Sequence, residues 1–206
     1  MTKARLTGLL FALFALVAAA FVAAVRVDAR ARPRLVTFRP NAANCGGSLW
    51  RMKTLSDGDR NRVRLAPRPT TLAAIAARQA PRPTPTRRVT PFQKQTWEVV
   101  AQITNYRSEP GELRLILFDD GTYMNAAVPI PACLTSATRD LHEISGTWKE
   151  FAKSCARPTP EWQPLGAVAY IRGVGFWSQR RTAHGTAPNG AELHPVTGFH
   201  IVAGCG

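Results

Sequence analysis

From Trp97 onward, apolar and polar residues alternate in short runs separated by turn residues, and this period of two narrows the fold more than any other feature of the chain. Trp97, Val99, Ala101 and Ile103 interleave with Glu98, Gln102 and Thr104, the signature of a strand with one face buried. Residues 108–111, Ser-Glu-Pro-Gly, turn the chain into a second strand at 113–118. Asp119, Asp120 and Gly121 form a hairpin turn into a third strand at 122–128, so strands two and three are expected to pair antiparallel. Leu141, Ile144, Trp148, Phe151 and Cys155 then recur at helical spacing, and Asp140 with Glu143 has the form of a capping box. Beyond the breaker at 156–160, residues 165–174 and 192–202 read as fourth and fifth strands, with a polar, glycine-bearing loop at 178–190 between them. Three meandering strands, a helix and two strands give the layout of a mainly β (α+β) domain, a small five-stranded OB-like barrel with one helix between strands three and four. A small α+β sandwich of the same elements is the alternative.

The 206 residues leave room for one such domain and a long appendage. Residues 6–25 carry no charge and follow Lys3 and Arg5. With Ala29, Arg30 and Ala31 behind them they read as an export signal peptide cleaved near Ala31. The length of the run, and Arg26, Arg30, Arg32 and Arg34 after it, fit a second reading, a retained N-terminal membrane anchor formed by a transmembrane helix with the domain outside. On both readings the domain is exported, either extracellular or anchored to the outer face of the cytoplasmic membrane. The four cysteines, Cys45, Cys133, Cys155 and Cys205, all lie in the exported part. They permit three pairings, of which 133–155 with 45–205 is the economical expectation because it closes the helix locally and ties the two ends together.

The formal net charge of +14 is unevenly placed: residues 1–90 hold 17 Lys or Arg against three acids, and residues 91–206 hold ten of each. Pro67, Pro69, Pro81, Pro83, Pro85 and Pro91 fall among Arg68, Arg78, Arg82, Arg87 and Arg88, a composition that predicts a basic, extended Pro-rich arm over 32–96, interrupted by a short helix at 70–78. The expected organisation is therefore 1–31 signal or anchor, 32–96 arm and linker, and 97–206 β domain. The expected partners of the arm are an anionic polymer of the bacterial cell envelope or lipid head groups. Specific nucleic-acid recognition is not expected of a neutral domain, and membrane contact would run through residues 6–25 where the segment is retained.

Four stretches carry a family resemblance: 52–57 (Met-Lys-Thr-Leu-Ser-Asp), 115–119 (Leu-Ile-Leu-Phe-Asp), 173–177 (Gly-Val-Gly-Phe-Trp) and 191–196 (Ala-Glu-Leu-His-Pro-Val). They resemble segments of a widespread group of secreted bacterial proteins of unassigned function. The resemblance implies an exported single domain reaching from about Cys45 to Cys205, and it implies no activity. The chain departs from the group at Ala127 and Ser178, where relatives carry acidic residues.

Glu192 and His194 are the strongest chemical pair. Two residues apart on a strand, they share a face, with Leu193 and Val196 on the other. A carboxylate beside an imidazole orients it as a general base, and with His184 from the preceding loop the group could hold a metal. The plainer reading is an ordinary polar strand face with Pro195 marking an edge. Arg172 stands among apolar residues and glycine, where it either pairs with a carboxylate such as Glu192 or presents its guanidinium to an anion. Phe176 and Trp177 border the polar loop as a candidate stacking platform. Asp119 and Asp120 are first of all a turn. Serine-hydrolase, Walker, zincin and dinucleotide signatures are absent from the sequence, and no cofactor or bound metal is expected. The expected function is an exported binding module of unassigned ligand using Arg172, Phe176, Trp177, His184, Glu192 and His194. The alternative is a metal-assisted, nuclease-like hydrolase with Glu192, His194 and His184 as catalytic residues.

Overall fold

The computed structural model describes residues 45–155, 157–179 and 183–205. In chain order they form α1 (Trp50–Lys53), β1 (Arg64–Pro69), α2 (Leu72–Ala76), β2 (Gln95–Glu109), β3 (Glu112–Asp119), β4 (Thr122–Pro129), α3 (Leu141–Ser154), β5 (Gln163–Trp177) and β6 (Ala191–Ala203), with 3-10 turns at Arg60–Arg62, Phe92–Lys94 and Pro131–Cys133. The protein is mainly β. Its single six-stranded sheet runs β1-β2-β3-β4-β6-β5, and β5 pairs back onto β2. Strands β2 to β6 thus pair in a ring, antiparallel except for the short parallel contact of β4 with β6, while β1 lies outside the ring, parallel to β2. The five ring strands are the five the alternation predicts. The sixth, β1, falls in the stretch expected to be arm.

Alternation builds the core. Val99, Ala101 and Ile103 of β2, Leu113, Leu115 and Leu117 of β3, Met124, Ala126 and Val128 of β4, Ala169 and Ile171 of β5, and Leu193 and Val196 of β6 meet in one buried cluster. The hairpin closes at Asp119↔Thr122, where Asp120 (φ 42°) and Gly121 (φ 75°) both take left-handed conformations, the pair of positive φ values that a two-residue turn needs to match strand twist. Helix α3 buries Phe151 against Tyr106 and Phe199, with ring centres 5.3 and 5.8 Å apart.

The expected capping box on α3 does not form. Asp140 sits at φ 64° and its side chain makes no cap bond; the backbone N–H of Arg139 beside it donates to the Leu55 carbonyl (2.9 Å). On α2 the capping residue is Thr71, whose Oγ1 accepts from the Ala74 N–H at 3.1 Å.

Three expectations are overturned. Residues 45–96 are not an extended arm: Leu72, Ile75 and Phe92 belong to the main core, and Leu55 and Val63 pack with Ile144 and Val174 in a second cluster. Prolines 67 and 69 are accommodated because β1 is an edge strand, where a missing N–H costs no ladder bond. A side chain at Gly175 would run into the Phe92 carbonyl, so glycine at that point of β5 admits the segment. The rest of the expected arm, residues 32–44, lies outside the described residues.

The disulfides are Cys45–Cys133 and Cys155–Cys205, not 133–155 with 45–205. The chain ahead of α1 brings Cys45 to the Pro131–Cys133 turn (Cα–Cα 5.4 Å), and β6 delivers Cys205 to the end of α3 (5.1 Å).

Among the described residues no helix is long and apolar enough to cross a membrane. The longest, α3, has 14 residues and includes Glu143, Lys149, Glu150 and Lys153. The expected transmembrane helix is therefore not found among the described residues. Residues 6–25, on which that expectation rested, and the cleavage region near Ala31 lie outside the described residues.

Candidate functional site

Glu112 and Arg114 of β3 alternate with Leu113 and Leu115, and Glu192 and His194 of β6 flank Leu193, so the four stand on the side of their strands away from the core cluster. All four are nevertheless buried, at 3, 6, 2 and 0 % exposure. The chain around α1 closes over them: Lys53 Nζ stands 3.9 Å from Glu112 Oε2 and 5.9 Å from the centre of the Phe176 ring.

Arg114 is the hub. Its Nε donates to Glu109 Oε2 (3.0 Å), its Nη2 to Glu112 Oε1, and its Nη1 reaches Glu192 Oε1 at 3.5 Å. Arg107 donates through Nε to the other oxygen of Glu109 at 3.0 Å. These arginines are needed, because Glu109 and Glu112 are register partners across the β2–β3 turn and like charges directly opposed destabilise a hairpin. His194 completes the group, with Nε2 3.3 Å from Glu112 Oε2 and Nδ1 4.0 Å from Glu192 Oε2. Neither approach meets hydrogen-bond geometry.

Burial alone would raise the Glu112 carboxyl, but His194, then Arg114 and Lys53, overcome it and hold the group well below the carboxylate range. Glu192 is likewise raised by burial and lowered by more through His194, Arg114 and Ser178. Both are therefore ionised at neutral pH. Arg114 is pushed the opposite way, burial lowering it and Glu192, Glu112 and Glu109 raising it further.

Above this group opens a cleft of about 660 Å³. Residues 46–49 form one wall, the end of β2 with Pro110 another, and Phe176 with Gln179 a third. Ser48 Oγ donates to Gln179 Oε1 (2.9 Å), linking two of the walls. Two charged groups meet at the floor. Glu112 Oε2 is buried without a hydrogen-bond partner, and Lys53, with a 20 % exposed side chain, holds its ammonium 3.9 Å away. A carboxylate oxygen and an ammonium in one place can hold a ligand that donates and accepts together. Among the described residues no group of three or more His, Cys, Asp or Glu is placed to hold a metal ion, and in this cluster the Arg114 guanidinium stands between the carboxylates.

The structure brings some of the expected residues together and disperses the rest. Glu192 and His194 share a face opposite Leu193 and Val196. They are not an edge, since β6 pairs with both β4 and β5. Arg172 does not pair with Glu192: it meets Glu98, its register partner on β2, and its side chain is 54 % exposed. Successive residues of a strand face opposite ways, so Phe176 and Trp177 separate. Phe176 lies 5.5 Å from the His194 ring. Trp177 enters the core against Phe92 (4.8 Å) and donates its indole N–H to Thr90 Oγ1 at 3.0 Å, so the pair is no stacking platform. His184 is exposed and packs on Trp162 (5.5 Å). Asp119 and Asp120 remain at the hairpin turn.

Sequence reasoning missed Lys53, Glu109, Glu112 and Arg114. Arg114 had a signal, a cation between Leu113 and Leu115 inside an apolar strand. Lys53 had none, because it lies in the stretch read as arm.

No protein-family model matches the chain, and no curated protein does. Among solved structures, a protein assigned as an aspartyl-tRNA synthetase from Leishmania major Friedlin superposes with a TM-score of 0.42 at 12% identity, covering 69% of this chain and 22% of its own. Asparaginyl-tRNA synthetase from Pyrococcus horikoshii superposes at 0.33 with 15% identity, covering 53% of this chain and 20% of its own. The chain spans about a fifth of the length of these enzymes, and likeness of this degree transfers neither ligand nor activity to it.

Proposed function

We propose that the chain is an exported binding module built on an OB-like barrel of β2 to β6, and that its ligand is a small, uncharged, hydroxyl-rich molecule seated in the cleft over Glu112. The observation that carries this reading is the buried Glu112 Oε2, which makes no hydrogen bond and faces the Lys53 ammonium at the cleft. A buried polar atom left unpaired costs about 1–3 kcal/mol, which a ligand hydroxyl accepting from Lys53 and donating to Glu112 would offset. A net anion would meet Glu109 and Glu112, and a net cation Lys53 and Arg107, so a neutral ligand is favoured. The ring order with its helix between β4 and β5 is the OB layout, and the cleft lies where the β2–β3 turn meets the start of the β5–β6 loop, positions at which OB barrels hold ligands. That last support is analogy of fold. Two disulfides suit an oxidising compartment, and the resemblance to exported bacterial proteins, whose segments form parts of β3, β5 and β6, belongs to the same proposal. No observation among the described residues favours the metal-assisted hydrolase.

The test is calorimetric titration of the disulfide-bonded chain with neutral mono- and disaccharides and, separately, with sugar phosphates and amino sugars. Saturable binding of a neutral sugar is expected, lost in Glu112→Gln and Lys53→Met and retained in Arg172→Ala. Binding that survives Glu112→Gln, or none by any neutral sugar, would sink the assignment.

A further inference from the structure

Away from the cleft, residues 60–94 contain nine Arg or Lys and no Asp or Glu. Two of the nine are committed inward. Arg88 is buried against Asp57 (2.9 Å), and Arg78 lies on the Trp97 ring at 4.3 Å. Others converge on one acid. Arg62 Nη1 and Arg87 Nε each stand 3.2 Å from the Asp59 carboxylate, with their side chains 64 and 72 % exposed. Arg87 foremost, and then Arg62 and Lys94, hold that carboxyl below its ordinary value. Exposed Arg64 is the register partner of Gln95, next to Lys94. Arg139, from the loop before α3, reaches the same turn and donates to the carbonyls of Arg60 (2.6 Å) and Val63 (2.8 Å). Arg68 lies four residues beyond Arg64 on the edge strand, again exposed.

Arginines and prolines on an edge strand also block pairing with other chains. That role needs charge on β1 alone. It does not account for cations brought from two separate segments, Arg62 on one and Arg87 with Lys94 on the other, around one carboxylate.

We propose that this face, centred on Arg62, Arg64 and Arg87 and extended by Arg68 and Lys94, binds a linear polymer of phosphodiester units through its phosphates. Arginine predominates, and its planar fork matches phosphate oxygens two at a time. Arg64 and Arg68 are both exposed on the same edge strand, opposite Gln95 and Trp97, which spreads the charge along a line and suits a chain better than a single small anion. A polymer without bases is favoured over single-stranded nucleic acid, because the nearby rings give bases nothing to stack on: Trp97 and Phe92 are buried, and Arg68 and Arg78 lie against Trp97. The surface is independent of the cleft and of the ligand proposed for it.

The experiment measures binding of the disulfide-bonded chain to poly(glycerol phosphate) and to oligothymidylate of equal phosphate number across a salt series. Poly(glycerol phosphate) is expected to bind, with oligothymidylate no tighter. Arg62→Gln/Arg64→Gln/Arg87→Gln should weaken binding about tenfold or more and flatten the salt slope by about one per contacting cation. The same charge removed elsewhere, Lys149→Gln/Lys153→Gln/Arg157→Gln, and the cleft change Glu112→Gln should leave it unaltered. Arg64→Gln/Arg68→Gln, which breaks no ion pair, should give a smaller loss in the same direction and guards against misfolding of the triple variant. Equal weakening by both triple variants, no binding at low salt, or distinctly tighter binding of oligothymidylate would each overturn the proposal.

Discussion

Arg114 serves three carboxylates with three nitrogens, and the cost of removing it follows from what it would leave behind. Arg114→Met leaves Glu112 and Glu192 without their arginine in a nearly dry site and Glu109 with Arg107 alone, and a broken buried ion pair costs about 3–5 kcal/mol. Urea denaturation should show a fall in stability of at least that order. Arg88→Met leaves Asp57 unpaired in the same way and abandons the carbonyls of Met52 and Gln93. The acid response has a definite sign. Glu112 and Glu192 titrate below their ordinary value of 4.5 in the folded chain, so the unfolded chain takes up their protons first. The stability they lend is full above the unfolded value and drains away as pH falls through 4.5 towards the lowered folded values. Urea midpoints measured from neutral pH into acid should decline, and the decline should flatten in Glu112→Gln.

The shortest strand pairing is that of β4 with β6, which share only the register pairs Asn125↔Glu192 and Ala126↔Leu193. The Arg114–Glu192 contact spans this seam from β3, so the buried charges help close the ring as well as floor the cleft. The disulfides tie other ends. Cys45–Cys133 encloses 88 residues of separation and Cys155–Cys205 encloses 50, loops worth roughly 4–5 kcal/mol each in the chain-entropy account. Both Cys→Ser double variants should melt at lower temperature. Because Cys45 lines the cleft, Cys45→Ser/Cys133→Ser should also weaken sugar binding, whereas Cys155→Ser/Cys205→Ser should leave affinity nearly unchanged once the protein is folded. Scanning calorimetry and the cleft titration separate the two effects.

For the molecule as a whole, residues 49–94 are a constituent of the fold. Leu55, Leu72 and Ile75 are each fully buried, and burial of such a side chain contributes about 1.5–3 kcal/mol. Set against the 5–15 kcal/mol that typically separates folded from unfolded domains, their loss is decisive. A chain begun at Thr90 should therefore show no cooperative unfolding transition and rapid proteolysis, while the chain from Cys45 unfolds in one step.

The alternation of apolar and polar residues determined by itself the five ring strands, the Asp120-Gly121 turn and the helix between β4 and β5. Each of these is a local property, set by side-chain period and by which residues tolerate positive φ. It also set Glu192 and His194 on one face, because a strand's period of two needs no knowledge of its neighbours. What covers that face was decided only by the tertiary structure. The prolines and arginines of 60–94 have the composition of an extended chain, and nothing local shows that β1 will find an edge or Arg88 a buried carboxylate 31 residues away. The same holds for Cys45 with Cys133, and for Lys53, Glu112 and Arg114. Their partnership depends on contacts between distant segments, which the order of residues along the chain does not encode pair by pair, and the cleft exists only where those segments meet.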